Sequence, residues 1–182
     1  VPGALGNLMC SNLLRKAIVE EKIIDPGKAL DRVAALLLSL LESENGFVSD
    51  GMDIGICVWN KTTNKLNFSG ANHPFYLIRD GALNITKSNK QPIGYFEGKK
   101  SFITHTFQVK KGDQIILFSD GYKDQFGGPR GKKIGIRRFK TILLKYCSKS
   151  LYDQKNALDK ELNEWMKNQE QVDDVCIFSV KV

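Results

Sequence analysis

Between Met52 and Phe118 the apolar residues recur at every second position, in short runs set apart by turn residues, and no other feature constrains the fold as tightly. "MDIGICVWN" and "LNFSGAN" are separated by "KTTNK", and "FYLIR" and "ALNITK" by Asp80-Gly81. Connections this short cannot carry the crossover that parallel strands need, so each pair reads as an antiparallel hairpin. "FITHTFQVK", a turn at Gly112 and "QIILF" read as a third hairpin in the same way.

Helical spacing brackets this block. Pro2 suits a first helical position, and Leu5, Leu8, Met9, Leu13 and Ile18 follow at near-helical spacing, which predicts a helix to about Glu20. Asp25-Pro26 opens a second helix with one stripe of Leu30, Val33, Ala34, Leu37, Leu38 and Leu41. Beyond the strands, Ile134 to Cys147 is amphipathic. So is Leu151 to Met166, where Leu158, Leu162, Trp165 and Met166 share a face. "DVCIFSVKV" closes the chain as a strand rich in branched side chains. Helices, antiparallel strands, more helices and a last strand predict a layered α+β sandwich. A length of 182 residues and a hydrophobic fraction of 42% predict a single domain, 1–182, with an ordinary core. Trp59 and Trp165 fall on core-facing patterns.

Composition excludes several functions. The densest apolar segment, "VAALLLSLL", is about half the roughly 20 residues of a membrane span, so no membrane contact is expected of this domain. The four cysteines, Cys10, Cys57, Cys147 and Cys176, form no CxxC pair, and their expected state is reduced and mostly buried, in a cytoplasmic protein. None has the arginine six positions on that a cysteine-dependent phosphatase needs, Arg15 falling one position early after Cys10. The loop "FGGPRGKK" fails the phosphate-binding pattern, because Gly131 has no glycine partner five positions before it and Lys132 is not followed by Ser or Thr. A formal charge of +7 favours acidic partners. Nucleic acid is not expected among them, since no strand face interleaves aromatics with Lys and Arg.

The chemistry-bearing residues lie at strand ends. In "IILFSDGYKDQF" Asp120 stands where an apolar strand emerges, and Asp173 and Asp174 stand where the last strand enters. If the two strands are antiparallel neighbours, these carboxylates meet at one edge of the sheet. Carboxylates so close repel one another unless a proton or cation intervenes, and hard oxygen ligands favour Mg²⁺ or Mn²⁺. Gly121 lets the backbone turn closely past such a site. Taken singly, Asp120-Gly121 reads as a hairpin turn and Asp173 as a cap; taken together they lean toward a site.

At this point the chain resembles a known family. "LFSDGYKDQF" and, some fifty residues on, "QVDDVCIF" look like the metal motifs of the 2C-type (PPM) metal-dependent serine/threonine protein phosphatases, closest to their bacterial SpoIIE/RsbU branch. "FSGANHPFYLIRDG" and "KQPIGY" resemble that branch's asparagine/glycine-histidine-proline strand pair and proline-isoleucine-glycine turn, and "VPGALGNLMCSNLL" the helix after its glycine-histidine-glycine motif. The resemblance implies an α-β-β-α sandwich of antiparallel sheets, N-terminally truncated, and a centre of two Mn²⁺ or Mg²⁺ ions. Carried over by motif, Asp120 and Asp173 are metal ligands, and Asp174 beside them supports the site; Asp53, before an apolar strand where the family varies, is a further candidate supporting carboxylate. The metals would lower the pKa of a bridging water, which attacks phosphorus without a covalent enzyme intermediate.

The family's first metal aspartate falls before Val1, so weak metal binding and little activity are expected of this chain. The implied partner is a phosphorylated protein, a STAS-type anti-sigma factor antagonist, acted on by the cytoplasmic output domain of a larger sensor. A second reading is a catalytically inactive module of the same fold that binds the phosphoprotein. A sheet edge left open by the truncation would invite self-association. Arg130, Lys132 and Lys133 are candidate substrate-binding residues that draw in the phosphate or an acidic flank. His73, held extended by Pro74, is a further candidate that could instead serve the turn alone. His105 alternates with Ile103, Phe107 and Val109 and is expected to be a hydrogen-bonded core residue.

Overall fold

The computed structural model describes residues 2–43, 51–94 and 97–182, with side chains described from Leu8 onward and none for 41–43. Leu5 and Leu41 of the helical stripes and Tyr95 of "KQPIGY" therefore lie outside the described side chains. The chain divides into two compact units, one of residues 1–75 and 86–109, the other of residues 76–85 and 110–182.

In the first unit, α1 (Pro2–Arg15) runs on through a π-helical turn (Lys16–Glu20) and is followed by α2 (Pro26–Ser43). Asp25 starts α2 as its sequence predicts, Oδ1 accepting the Lys28 N–H at 2.9 Å and the Thr104 hydroxyl at 2.8 Å. Leu30, Val33, Ala34 and Leu37 bury the α2 stripe against Cys10, Leu13, Ala17, Ala71, Ile93 and Phe102. The first helix differs from the expected stripe: Cys10, Leu13 and Ala17, at spacings of three and four, are buried, while Leu8 and Ile18 are exposed. The sheet of this unit has the order β1 (Ile54–Asn60), β2 (Lys65–Ala71), β5 (His105–Gln108), all antiparallel. His105 stacks on Phe68, ring centroids 6.4 Å apart, but is half-buried and not in the core that its alternation suggested, and Ile103 beside it in that pattern is exposed. Trp59 is half-buried.

The second unit holds a sheet of order β4 (Ala82–Thr86), β3 (Phe75–Arg79, from Tyr76), β6 (Gln114–Phe118), β9 (Ile177–Lys181). Tyr76, Ile78, Ile116, Phe118 and Ile177 point to one face, and α4 (Gly135–Tyr146) and α5 (Leu151–Met166) cover them with Phe139, Ile142, Leu143, Leu158 and Leu162. Tyr76 and Phe118 meet edge to face at 4.8 Å, the arrangement ring quadrupoles prefer. Between β6 and α5 the buried amides of Gln114 and Gln154 join, Gln114 Nε2 donating to Gln154 Oε1 at 2.6 Å.

The structure corrects the third hairpin. His105–Gln108 pairs with β2, whereas Gln114–Phe118 pairs with β3 and β9 in another sheet. Gly112 does turn, with φ of 93°, but β6 pairs with β3 beside a part-buried ion pair. Asp113 accepts two hydrogen bonds from the Arg79 guanidinium, at 2.8 and 2.6 Å, and one from the Lys110 N–H at 2.8 Å. The cysteine expectation also needs correcting. All four are free, but only Cys10 is buried and Cys176 is exposed.

Candidate functional site

The β6–β9 ladder places the candidate site. Its register ends at Phe118 opposite Ile177, so the chain leaves β6 where it enters β9. Past that pair Ser119 acts as a clasp: its N–H donates to the Cys176 carbonyl at 2.8 Å and its hydroxyl to the Asp174 carbonyl at 2.7 Å, while the Cys176 N–H donates to Ser119 Oγ at 2.9 Å. Asp120 follows the clasp on one strand and Asp173 and Asp174 precede it on the other, and all three are exposed. Asp120 precedes the short helix α3 (Gly121–Asp124) and makes no side-chain capping hydrogen bond, so the turn does not consume its carboxylate. One Asp173 oxygen, Oδ1, accepts the Asp174 N–H at 2.7 Å.

Gly121 is packed against this edge. A Cβ there would come within 2.8 Å of the Asp174 carbonyl carbon and 3.2 Å of the Asp173 oxygen, so only a bare Cα lets α3 sit so close. Behind it Tyr122 is buried and donates its hydroxyl to the Leu158 carbonyl at 2.9 Å; burial pushes that hydroxyl well up, so it stays protonated. Asp124 lies beside Lys123 at 2.9 Å and Lys133 at 3.6 Å, and the Lys123 ammonium above all holds its carboxyl below its ordinary value.

Arg130, Lys132 and Lys133 form the tip and return of a small hairpin, β7 (Phe126–Gly127) with β8 (Lys132–Lys133), in the same unit. Gly128 (φ 67°) lies under the Trp165 ring, where a Cβ would come within 2.7 Å, and Trp165 Nε1 donates to the Lys132 carbonyl at 3.2 Å. The loop is thus built on a packed base. Lys133 is engaged with Asp124 and lies 5.6 Å from the Phe126 ring, while Arg130 and Lys132 extend into solvent. Asp53 and His73 belong to the other unit. There Asp53 accepts from Asn72 Nδ2 at 2.9 Å, and His73 is half-buried. A cavity of about 360 Å³ in the second unit lies beneath α5, bounded by Gln114, Tyr122, Gln154 and Leu158, and Asp120 and Asp173 do not line it.

The donor set at the edge fits a hard divalent cation: exposed carboxylates, peptide oxygens nearby and a glycine cradle that a Cβ would fill. Among the described residues no group of three or more His, Cys, Asp or Glu side chains is arranged to hold a metal ion. Sequence reasoning missed Ser119 and Gln125 as the side chains that hold the edge together. A lone hydroxyl and a lone amide in a loop carry no pattern that sets them apart.

Antiparallel sheets with their own helices are the architecture of 2C-type phosphatase domains. The chain superimposes on the SiaA-PP2C domain of Pseudomonas aeruginosa with a TM-score of 0.89 at 27% identity, over 100% of this chain and 71% of that one. It also resembles the PP2C phosphatase domain with a regulatory fragment of SpoIIE from Bacillus subtilis (TM-score 0.69, 17% identity, 95% and 48% covered). A third likeness is to the catalytic domain of the serine/threonine phosphatase PstP, solved with two manganese ions (TM-score 0.62, 16% identity, 92% and 78% covered). No curated protein matches the chain. The chain belongs to the family described as stage II sporulation protein E (SpoIIE), whose model matches residues 1–182. Its fold is that of serine/threonine phosphatase domains, α-β-β-α in content as the sequence implied. Among the described residues no helix is long and apolar enough to cross a membrane.

Proposed function

We propose that residues 1–182 are part of one metal-dependent phosphatase domain that hydrolyses a phosphoserine or phosphothreonine of a signalling protein. The observation that carries this reading is the joint strand edge, where the Ser119 clasp holds the Asp120 turn against Asp173 and Asp174. Asp120 and Asp173 would hold Mn²⁺ or Mg²⁺, two ions in all, with Asp174 and Gly121 as supports. When bound, such ions supply Lewis acidity and an ionised water at neutral pH. The chain's own part is position and charge. The Ser119 clasp ties together the backbone on either side of the edge, and Arg130 and Lys132 offer cations to the phosphate or to acidic residues flanking it. Lys133, shared with Asp124, is a weaker candidate for that contact. The partner that best suits the family resemblance is a STAS-type anti-sigma factor antagonist. A reduced compartment, with the domain as a cytoplasmic output module, suits four free cysteines.

Hydrolysis of p-nitrophenyl phosphate as Mn²⁺ is titrated tests this. Asp120→Asn is expected to cost at least ~100-fold in metal-dependent turnover, equivalent to about 2.7 kcal/mol of transition-state stabilisation. A phosphatase reading does not survive if the variant hydrolyses as fast as the parent. A second reading, a phosphoprotein-binding module that does not hydrolyse, is favoured by the lack of a three-ligand cluster among the described residues. It predicts retention of the phosphorylated partner with no metal-dependent release of phosphate.

A further inference from the structure

The loop that bears Asp173 has little to hold it. Residues 167–176 belong to no helix or strand, and Glu170, Gln171, Val172, Asp173 and Asp174 are all exposed. Of residues 167–176 only Val175 packs against the apolar core, so Glu170–Asp174 depend on hydrogen bonds to stay in place. On the Asp174 side these come from Ser119. On the other side they come from Gln125, at the end of α3, whose side chain is fully buried. Its Nε2 donates to the Glu170 carbonyl at 2.8 Å and to the Phe126 carbonyl at 3.1 Å, and its Oε1 accepts the Val172 N–H at 3.3 Å. The amide thus grips alternate backbone groups as a neighbouring strand would. The Gln125 carbonyl meanwhile accepts the Ile134 N–H at 3.0 Å, so the gripping residue is itself anchored to the base of the β7–β8 hairpin.

We propose that Gln125 is the positioning residue for Asp173: through the backbone of Glu170–Val172 it sets where that carboxylate stands relative to Asp120, and so sets divalent-metal affinity. The inference rests on the proposed metal role of Asp120 and Asp173. The chemistry of the amide is specific. A carboxylate would lose the donor to Glu170 and place a charge in a dry site, and an alkyl group would leave a carbonyl and an N–H without their partner. A buried polar residue that satisfies only loop backbone, five residues from one candidate ligand and clamping the approach to the other, has no role in the apolar core.

The test compares the full protein with its Gln125→Leu and Asp120→Asn variants in three measurements. Hydrogen exchange in Gln125→Leu should accelerate within residues 170–174 and stay unchanged in β6 and β9. Mn²⁺ titration followed by electron paramagnetic resonance should show affinity about tenfold weaker. Turnover of p-nitrophenyl phosphate should return to near the parental kcat at saturating Mn²⁺, with KM for the phosphate ester unchanged, which a merely misfolded fraction would not allow. Unchanged exchange in 170–174, or unchanged Mn²⁺ affinity while Asp120→Asn weakens it, overturns the positioning role alone. If Asp120→Asn leaves Mn²⁺ binding intact, the metal reading fails and the positioning role falls with it.

Discussion

At the scale of single residues, the edge depends on what a side chain is and on what a side chain would displace. Asp120 is exposed and caps nothing, so its carboxylate contributes little to folding. Asp120→Asn should leave Tm within about a degree of the parent, which separates loss of chemistry from loss of structure. Gly121 is the reverse case. Adding one methyl puts a carbon against the peptide of Asp174, and the backbone must shift to admit it. Gly121→Ala is expected to cost roughly 1–3 kcal/mol in urea unfolding and to weaken Mn²⁺ binding together with it. Asp120, Gly121 and Asp173 stand out in the sequence because Asp120-Gly121 closes one apolar run and Asp173 stands just before another. Ser119 and Gln125 were not legible: what makes them matter is a backbone segment about fifty residues away in sequence.

At the scale of elements, local period located the strands and helices well, and α5 occupies the very span that the spacing of Leu158, Leu162, Trp165 and Met166 predicted. Local period could not choose partners. The turn at Gly112 has hairpin chemistry, yet it separates two sheets: β6 shares an apolar face with β3, and Asp113 pairs with Arg79 at the end of β3. The Arg79 guanidinium, more than any other group, holds the Asp113 carboxyl below its ordinary value. A depressed value in the folded state means that this contact stabilises fully above the ordinary carboxylate range near pH ~4, and that the stabilisation is lost as pH falls through the folded value. Asp113→Asn should therefore lower stability by roughly 2 kcal/mol at neutral pH, and urea midpoints of variant and parent should converge in acid below pH ~4. Gln114 and Gln154 make the same point, since two amides that look solvated in sequence are buried against each other.

At the scale of the molecule, the excess of positive charge acts through its distribution. From Phe126 to Ser150 the chain has no Asp or Glu, and its cations occupy the β7–β8 hairpin and α4. Part of that charge is neutralised structurally, Lys145 and Arg138 reaching Glu161 at 2.7 and 3.6 Å. Arg130 and Lys132 have no ion pair among the described residues. Replacing Arg130, Lys132 and Lys133 by Glu should lower kcat/KM on a phosphoprotein about tenfold more than on p-nitrophenyl phosphate, and the gap should narrow as salt is raised from 50 to 500 mM. Equal losses on both substrates would remove the docking role.

The sequence alone determined the succession of helices and strands, the family, and the candidate carboxylates, because each is written in neighbouring residues: a period, a turn, an apolar run that stops at an acid. Tertiary structure alone decided which strands pair across the turn at Gly112, which polar side chains are buried, and what holds the Asp173 loop. Those outcomes depend on contacts between residues distant in the chain, where a partner's position counts for more than a residue's own propensity.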